Sequence, residues 1–186
     1  ALGGVLYDFA PHLVDQALDL MGPVVSVNAH ARTLREIPVS DDDLLIMLQH
    51  ESGGISYLVG SLATALPGPR FTLAGTTGAL RINDVDTQEK HLKLGVIPGD
   101  GWGVESDESI IEIWSSDAAG ELTHSTLPSE IGNWPEYYRE VLAFLTESVL
   151  PTVTLDQAVA TTRVIDAARI SVANGEVVRL EPPASH

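Results

Sequence analysis

The amino-acid sequence predicts an α+β fold in which helices pack on one face of a large, mainly antiparallel β-sheet. Three observations favour this class. Apolar residues recur at helical spacing near both ends of the chain. Through the middle of the chain they alternate with a period of two, as they do in strands. Turns that contain glycine and proline separate the alternating segments by short intervals, which is typical of antiparallel neighbours.

The first predicted helix covers residues 11–21. Pro11 suits the first turn of a helix, and the pair Gly22-Pro23 ends it. The predicted apolar side of this helix carries Leu13, Ala17, Leu20 and Met21. The predicted polar side carries His12, Asp15, Gln16 and Asp19.

Seven segments have the pattern of strands, namely residues 24–34, 43–50, 55–65, 71–76, 79–83, 109–115 and 121–127. Glu51-Ser52-Gly53-Gly54 and Thr76-Thr77-Gly78 predict hairpin turns, because glycine adopts the positive φ that tight turns require. Ala118-Ala119-Gly120 is expected to join the last two strands. The segments predict a sheet of about seven or more strands.

Two helices are predicted near the end of the chain. Residues 135–149 carry one apolar stripe, formed by Tyr138, Val141, Leu142 and Leu145. The second helix covers residues 155–174, because Thr154 and Gln157 form a capping-box pair ahead of it and Gly175 follows it. A short strand over residues 176–180 is expected to rejoin the sheet.

The composition indicates one domain over residues 1–186 that acts in the cytoplasm. The chain contains no cysteine, which removes disulfides and fits a reducing compartment. Its 26 acidic and 10 basic side chains give a net charge of −16, which would repel a phosphate backbone. No apolar run approaches the roughly 20 residues needed to cross a bilayer. We therefore expect neither a nucleic acid nor a membrane as a partner.

Two of the predicted strands are apolar on both faces. Within residues 55–65, Tyr57 and Val59 face one side while Leu58 and Leu62 face the other. Three helices can cover only one side of such a sheet, so a second copy of the same sheet would cover the other. This pattern predicts a homo-oligomer formed through the sheet, and the alternative is a sandwich within one chain.

The densest motif begins with Gly3-Gly4, continues with Asp8, and places His12 four residues later and Asp15 three residues after that. It resembles the second signature of the Gfo/Idh/MocA oxidoreductase family. Further stretches are similar to the same family, and most of all to its inositol-dehydrogenase-like members: Pro67-Gly68-Pro69-Arg70-Phe71, Gly75-Thr76-Thr77-Gly78-Ala79, Gln88-Glu89, Pro98-Gly99-Asp100-Gly101-Trp102-Gly103 and Gly132-Asn133-Trp134-Pro135-Glu136-Tyr137-Tyr138. The resemblance covers nearly the whole chain.

The resemblance implies the C-terminal domain of such an oxidoreductase, with a large antiparallel sheet through which subunits associate. It also implies an N-terminal Rossmann domain of about 120–150 residues, which would bind NADP or NAD and carry a catalytic Lys. Neither is present in this sequence, which opens at Ala1 without an initiator Met. We therefore expect a fragment that is inactive alone, although a processed secreted protein could also begin with alanine.

His12 and Asp8 are the predicted catalytic residues. Oxidising a secondary alcohol requires a base for the hydroxyl proton while the carbon-bound hydrogen leaves as hydride. The resemblance implies that His12 shares this proton transfer with the Lys of the other domain and that Asp8 positions the substrate. Asp8, just ahead of the predicted helix, is also expected to accept backbone N–H groups or a substrate hydroxyl and to orient the imidazole.

Two further residues are predicted to contact the substrate. Asp15, one turn after His12, is expected to take a second hydroxyl, and Trp102 is expected to stack on a sugar ring. Trp134 could also stack, whereas Tyr137 and Tyr138 are expected to pack in the interior. The predicted function is the oxidation of a secondary alcohol of a cyclic polyol or sugar such as inositol.

Several alternatives remain at this stage. The acidic and imidazole residues could be only a capped helix start with a solvated face. The chain could be a non-catalytic sugar-binding or dimerisation module, or a hydrolase that uses Asp8 and Asp15 as an acid/base pair. No metal site is predicted, because His12 and Asp15 lack a third ligand.

An aspartate triplet, a glycine-rich segment and two replaced glycines each carry a further prediction. Asp41-Asp42-Asp43 lacks an EF-hand pattern and is predicted to be a solvated loop. The glycines from Gly99 to Gly103 are predicted to form a loop and not a nucleotide cradle. Leu2 and Ala10 replace glycines that are common in the family, and their methyl groups are expected to narrow the pocket.

Overall fold

A computed structural model describes residues 3–36, 40–66, 68–83, 86, 88–99, 102–104, 110–117 and 119–181. The chain divides into two compact units. The first unit comprises Ala1–Ala65 with Thr152–His186, and the second comprises Leu66–Pro151. The single domain over residues 1–186 stays a prediction.

The described elements in chain order are α1 (Val5–Asp8), α2 (Ala10–Met21), β1 (Val24–Arg32), β2 (Asp43–His50), β3 (Ile55–Ser61), β4 (Phe71–Ala74), β5 (Gly78–Ile82), α3 (Gln88–Lys93), β6 (Ile110–Ser116), β7 (Leu122–Pro128), α4 (Pro135–Glu147), α5 (Leu155–Asn174) and β8 (Val178–Arg179). Every strand pairing among them is antiparallel, which confirms the predicted class. The predicted capping box of α5 is present, and the helix ends at Gly175. No helix in the described ranges combines the length and the apolar character that crossing a membrane requires.

The described strands form two four-stranded sheets, with the orders β3-β2-β1-β8 and β4-β5-β6-β7. The expectation of one continuous sheet of seven or more strands therefore differs from the observed pairing. Period-two alternation identifies strands but carries no information about which strand pairs with which. Both predicted hairpins are present, one between β2 and β3 and one between β4 and β5. The turn at Ala118 lies outside the described residues.

The core of the first unit lies between its sheet and helices α2 and α5. The inward side chains of β2 are Leu44, Ile46 and Leu48, all at most 1% exposed. The side of α2 that faces the core is formed by Ala10, Val14 and Ala17. Leu20, which was predicted to lie on the apolar side of this helix, is 51% exposed. The buried stripe therefore starts at Ala10, three residues before the predicted Leu13, and ends before the last turn.

The second unit contains the other sheet together with α3 and α4. Helix α3 lies in a segment for which the sequence predicted neither a helix nor a strand. At its start the Asp86 carboxylate accepts the Gln88 N–H at 2.8 Å. Helix α4 forms as predicted, but none of its described residues is buried. The expected interior packing of Tyr137 and Tyr138 is wrong, since their exposed fractions are 66% and 73%.

The aspartate triplet ahead of β2 forms structural contacts and is not the solvated loop that the sequence predicted. Asp42 is 2% exposed, and its carboxylate accepts the backbone N–H of Leu34 at 2.7 Å and the Nε–H of Arg35 at 2.9 Å. Asp43 pairs with the Nε of Arg32 at 2.6 Å. The hydrogen bond from Leu34 and then that from Arg35 hold the pKa of Asp42 below its ordinary value of 3.8. The Arg32 side chain likewise lowers the pKa of Asp43.

We predict that Asp42→Asn lowers the stability of the fold at neutral pH and weakens its dependence on acid. A carboxylate with a lowered folded-state pKa stabilises the fold fully above the unfolded-state pKa, and this stabilisation is lost as the pH falls through the folded-state value. Urea midpoints measured at pH 7 and pH 3 should therefore differ less in the variant than in the wild type.

Asp19→Asn is the matched control, because Asp19 is exposed and its side chain has no hydrogen bond within the described ranges. It corrects for the general effect of removing one charge from a chain of net charge −16. An equal acid dependence for Asp42→Asn and the wild type would show that Asp42 does not contribute in this way.

Candidate active site

Asp8, His12 and Asp15 share one exposed face of the first helical segment. Their spacing of four and then three residues places them on the same side of a helix. Phe9, between α1 and α2, has right-handed helical angles of φ −101° and ψ −38°, so the helical path continues from Asp8 to Asp15. All three side chains are exposed, while Ala10 and Val14 on the opposite face are fully buried. The structure thus places two carboxylates and one imidazole on a single exposed face.

The start of this segment is anchored by Asp41, a residue that the sequence did not single out for this role. The Asp41 carbonyl accepts the Val5 N–H at 3.1 Å, and its carboxylate accepts the Leu6 N–H at 2.7 Å. These are two of the backbone donors that a helix start leaves without an intrahelical partner. Asp41 therefore holds α1 against the beginning of β2.

Gly4 makes this anchoring possible. Its φ of 105° lies in the region that side chains rarely adopt, and a Cβ at this position would overlap the Asp41 carboxylate. Gly3 differs, because a Cβ there would meet no atom within 4 Å. Of the two glycines that open the motif, only Gly4 is required by the geometry.

Asp8 is not a helix cap, contrary to the sequence expectation. It is the last residue of α1, Phe9 is the N-cap of α2, and no side chain caps α2. The His12 N–H, one of the donors at the start of α2 that a capping Asp8 could have bound, donates instead to the Phe9 carbonyl at 3.2 Å. Within the described ranges the Asp8 carboxylate has no hydrogen bond to the His12 ring, so its predicted role in orienting the imidazole stays a prediction.

Asp15 is held from the adjacent helix. The hydroxyl of Thr161 on α5 donates to its Oδ1 at 3.2 Å, and Thr161 is only 9% exposed. Helix α5 is itself tied to β1, because Ser171 Oγ accepts the Ala29 N–H at 2.9 Å and donates to the Glu176 carbonyl at 2.6 Å. One Asp15 oxygen is thereby fixed while the residue remains exposed.

Of the two departures from the family pattern, the one at Ala10 does not bear on the pocket as expected. Ala10 is 0% exposed, so its methyl group lies in the hydrophobic core and not in an open turn. Leu2 lies outside the described residues.

Trp102 belongs to the second unit, where it lines an open pocket of about 530 Å³. The other lining residues are Pro98, Gly99, Ile131, Gly132, Asn133, Pro135 and Arg139. The indole N–H of Trp102 donates to the Gln88 Oε1 at 2.8 Å. Gln88 is fully buried. In the sequence it stands out only as part of Gln88-Glu89, one of the stretches that are similar to the family.

The glycine-rich string around Trp102 does not fit a nucleotide cradle. Its described part follows α3 and does not connect a strand to a helix. Gly103 instead allows a close backbone approach, since its carbonyl accepts the Gly132 N–H at 3.1 Å and a Cβ on it would overlap Gly132. In the described ranges no group of three or more histidine or acidic side chains is arranged to hold a metal ion.

Comparison with known proteins identifies relatives over almost the whole chain. The family domain described as "Oxidoreductase family, C-terminal alpha/beta domain" matches residues 2–180. The chain is 28% identical to scyllo-inositol 2-dehydrogenase (NADP(+)) IolW of Bacillus subtilis (strain 168) over 179 residues, which are 96% of this chain and 49% of that protein. It is 31% identical to the uncharacterized oxidoreductase YdgJ of Escherichia coli (strain K12) over 139 residues, which are 74% of this chain and 39% of that protein.

The fold is shared with solved structures. The oxidoreductase yvaA from Bacillus subtilis, in its triclinic form, matches with a TM-score of 0.90 and 27% identity, over 97% of this chain and 52% of that one. This chain spans about half the length, or less, of the curated relatives that it matches.

We predict that Gly4→Ala destabilises the fold by about 1–3 kcal/mol. The new methyl group would displace Asp41 and force φ away from its present value, which removes the anchor of α1. Gly3→Ala, one residue earlier, should change the unfolding free energy by less than about 0.5 kcal/mol. Urea unfolding of both variants measures the difference, and equal effects would refute the assigned role of Gly4.

Proposed function

We propose, from the premise that this chain belongs to the Gfo/Idh/MocA oxidoreductase family as its C-terminal alpha/beta domain, that it is the substrate-binding and oligomerisation part of an NAD(P)-dependent dehydrogenase. The proposed reaction oxidises a secondary alcohol of a cyclic polyol or sugar. The similarity to IolW, a scyllo-inositol 2-dehydrogenase (NADP(+)), supports this substrate class and this type of cofactor. The fragment alone is proposed to be inactive.

The observation that carries the proposal is the exposed face of Asp8, His12 and Asp15. A merely structural polar face needs no fixed geometry, yet this one is held at two points. Asp41 fixes the start of α1, and Thr161 fixes Asp15. A fixed helix start and one fixed carboxylate, with all three side chains exposed, suit a substrate-binding surface.

In the proposed reaction His12 accepts the proton of the substrate hydroxyl. The oxygen keeps the bonding electrons and forms the carbonyl, while the carbon-bound hydrogen leaves with its electron pair. When bound, the nicotinamide supplies the acceptor for that hydride. Asp8 is proposed to accept a hydrogen bond from the reacting or the neighbouring hydroxyl, and the second oxygen of Asp15 one from a further hydroxyl.

The nucleotide itself is proposed to bind outside this chain. The described residues offer no glycine-rich turn between a strand and a helix, so they do not fit the pyrophosphate of NAD(P). A catalytic Lys is proposed to belong to the nucleotide-binding domain as well. Trp102, in the second unit, stays a predicted substrate contact. The cytoplasm is the proposed location, since a chain without cysteine suits a reducing compartment.

The homo-oligomer is proposed to form through the outer face of the first sheet. The side chains of β2 and β3 that point away from the helices are apolar and exposed. They are Leu45 at 41%, Ile55 at 50%, Tyr57 at 66% and Val59 at 66%. Cross-strand neighbours such as Leu45 and Val59 make the patch continuous. A self-complementary contact between two such patches would remove this apolar surface from water.

We predict that the full-length protein reduces NADP or NAD when scyllo-inositol or myo-inositol is added, as read from the nicotinamide absorbance band. His12→Ala should lower turnover about a hundredfold or more with the fold intact, because the hydroxyl proton loses its acceptor. His124→Ala is the matched control, since His124 is also exposed but lies on β7 of the second unit. Near-normal turnover of His12→Ala would refute the base role.

We predict that Val59→Asp dissociates the homo-oligomer, because it places a carboxylate in the apolar patch. Sedimentation velocity at micromolar concentration should show a complex for the wild type and a monomer for the variant. Leu20→Asp, an equally drastic change at an exposed site on α2, should leave the complex unchanged. A monomeric wild type would contradict the proposal.

A further inference from the structure

We infer that Gln88 is the positioning residue of the pocket in the second unit, and that this pocket binds the ring of a neutral polyol against Trp102. The inference rests on the proposed function only for choosing an inositol as the probe. The hydrogen bonds of Gln88 and the side chains that line the pocket support the site independently of that function.

Gln88 connects two tryptophans through a single oxygen. Its Oε1 accepts the indole N–H of Trp102 at 2.8 Å and the backbone N–H of Trp134 at 2.7 Å. Both lone pairs of the side-chain carbonyl are then occupied. The residues come from three segments of the second unit, and Gln88 and Trp134 are 46 positions apart in the sequence.

The amide nitrogen of Gln88 completes the network. It donates to the Asp86 Oδ2 at 2.8 Å, and the same oxygen accepts the indole N–H of Trp134 at 2.9 Å. A side chain at Gly132 would overlap the Gln88 amide, so the backbone of that loop lies directly against it. Gln88 itself is fully buried, and a hydrogen-bond network is rigid when its members are satisfied. The Trp102 ring is therefore fixed and not merely adjacent to the pocket.

One side of the Trp102 ring is already occupied. The His91 ring lies against it with a centroid separation of 5.5 Å and an interplanar angle of 56°. The pocket uses the remaining surface of the indole together with apolar edges from Pro98, Ile131 and Pro135. An aromatic plane with apolar edges matches the C–H faces of a saturated ring.

The polar wall of the pocket selects a neutral ligand. Arg139 forms an ion pair with Glu136, which also accepts the Nδ2–H of Asn133 at 3.2 Å. The guanidinium charge is thus balanced within the helix and does not call for an anionic ligand. The Asn133 Oδ1 accepts no hydrogen bond in the described part of the chain, so it suits a hydroxyl donor. The volume of about 530 Å³ is ample for a single six-membered ring.

The test measures the binding of myo-inositol to the present chain by calorimetry and by NMR saturation transfer. Trp102→Leu should weaken binding about tenfold or more, because the aromatic plane is lost. Trp114→Leu is the matched control, since Trp114 lies on β6 of the same unit and does not line the pocket. It should leave the affinity unchanged.

Gln88→Met should weaken binding by a similar factor without touching the ligand, because the near-isosteric apolar side chain no longer holds Trp102. Gln88→Glu keeps acceptors for both N–H groups but faces the Asp86 carboxylate, so it should retain more affinity than Gln88→Met. Urea unfolding of each variant identifies any that fails to fold.

A double-mutant cycle separates positioning from a general structural role. If Gln88 acts through Trp102, adding Gln88→Met to Trp102→Leu should cause little further loss of affinity. Fully additive losses would overturn the positioning role. An unchanged affinity of Trp102→Leu, or no detectable binding of myo-inositol to the wild-type chain at millimolar concentration, would overturn the pocket assignment.

Gluconate is the second probe. Tighter binding of gluconate than of myo-inositol would overturn the neutral-ligand assignment. The proposed function is judged separately by nicotinamide reduction in the full-length protein. Inositol binding without that reduction would leave the present inference standing and contradict the dehydrogenase.

Discussion

The contact between Asp41 and the start of α1 is the constraint on which the candidate active site depends. A helix of four residues cannot form alone, because nucleation costs more than its few hydrogen bonds return. Asp41 supplies acceptors for the first two N–H groups, and Gly4 leaves the space for it. Since Asp41 directly precedes the buried Asp42 and β2, the first helical segment is fixed to the sheet. The direction in which His12 points follows from that attachment.

The first helical segment has one buried face and one exposed polar face. Ala10, Val14 and Ala17 of α2 fill the core, whereas Asp8 at the end of α1 and His12 and Asp15 on α2 are exposed. Helix α5 contributes to both sides, since its buried face packs on the sheet while Thr161 reaches Asp15. A substitution on the exposed side should therefore have little effect on the core.

In the second unit a side-chain amide has the anchoring role that a carboxylate has in the first unit. A single buried amide, that of Gln88, holds two indole-bearing residues, as the single carboxylate of Asp41 holds α1. In both units a polar side chain distant in sequence fixes a segment that would otherwise have few buried contacts. Burying a polar group is favourable only when its hydrogen bonds are made, and the buried side chain of Gln88 accepts two hydrogen bonds and donates one in the described part of the second unit.

The sequence by itself determined the α+β class, most helices and strands, the polar face with His12 and Asp15, and the capping box at Thr154. These features depend on the spacing of nearby residues, which a sequence displays directly. Only the tertiary structure decided the pairing into two sheets, the burial phase of α2, and the roles of Asp41 and Gln88. All of these depend on contacts between residues that are distant in the sequence. The hydrogen bonds of Asp41 to Leu6 and of Gln88 to Trp134, for example, join residues 35 and 46 positions apart. Local periodicity cannot predict them, because it carries no information about which distant donor a given side chain will meet.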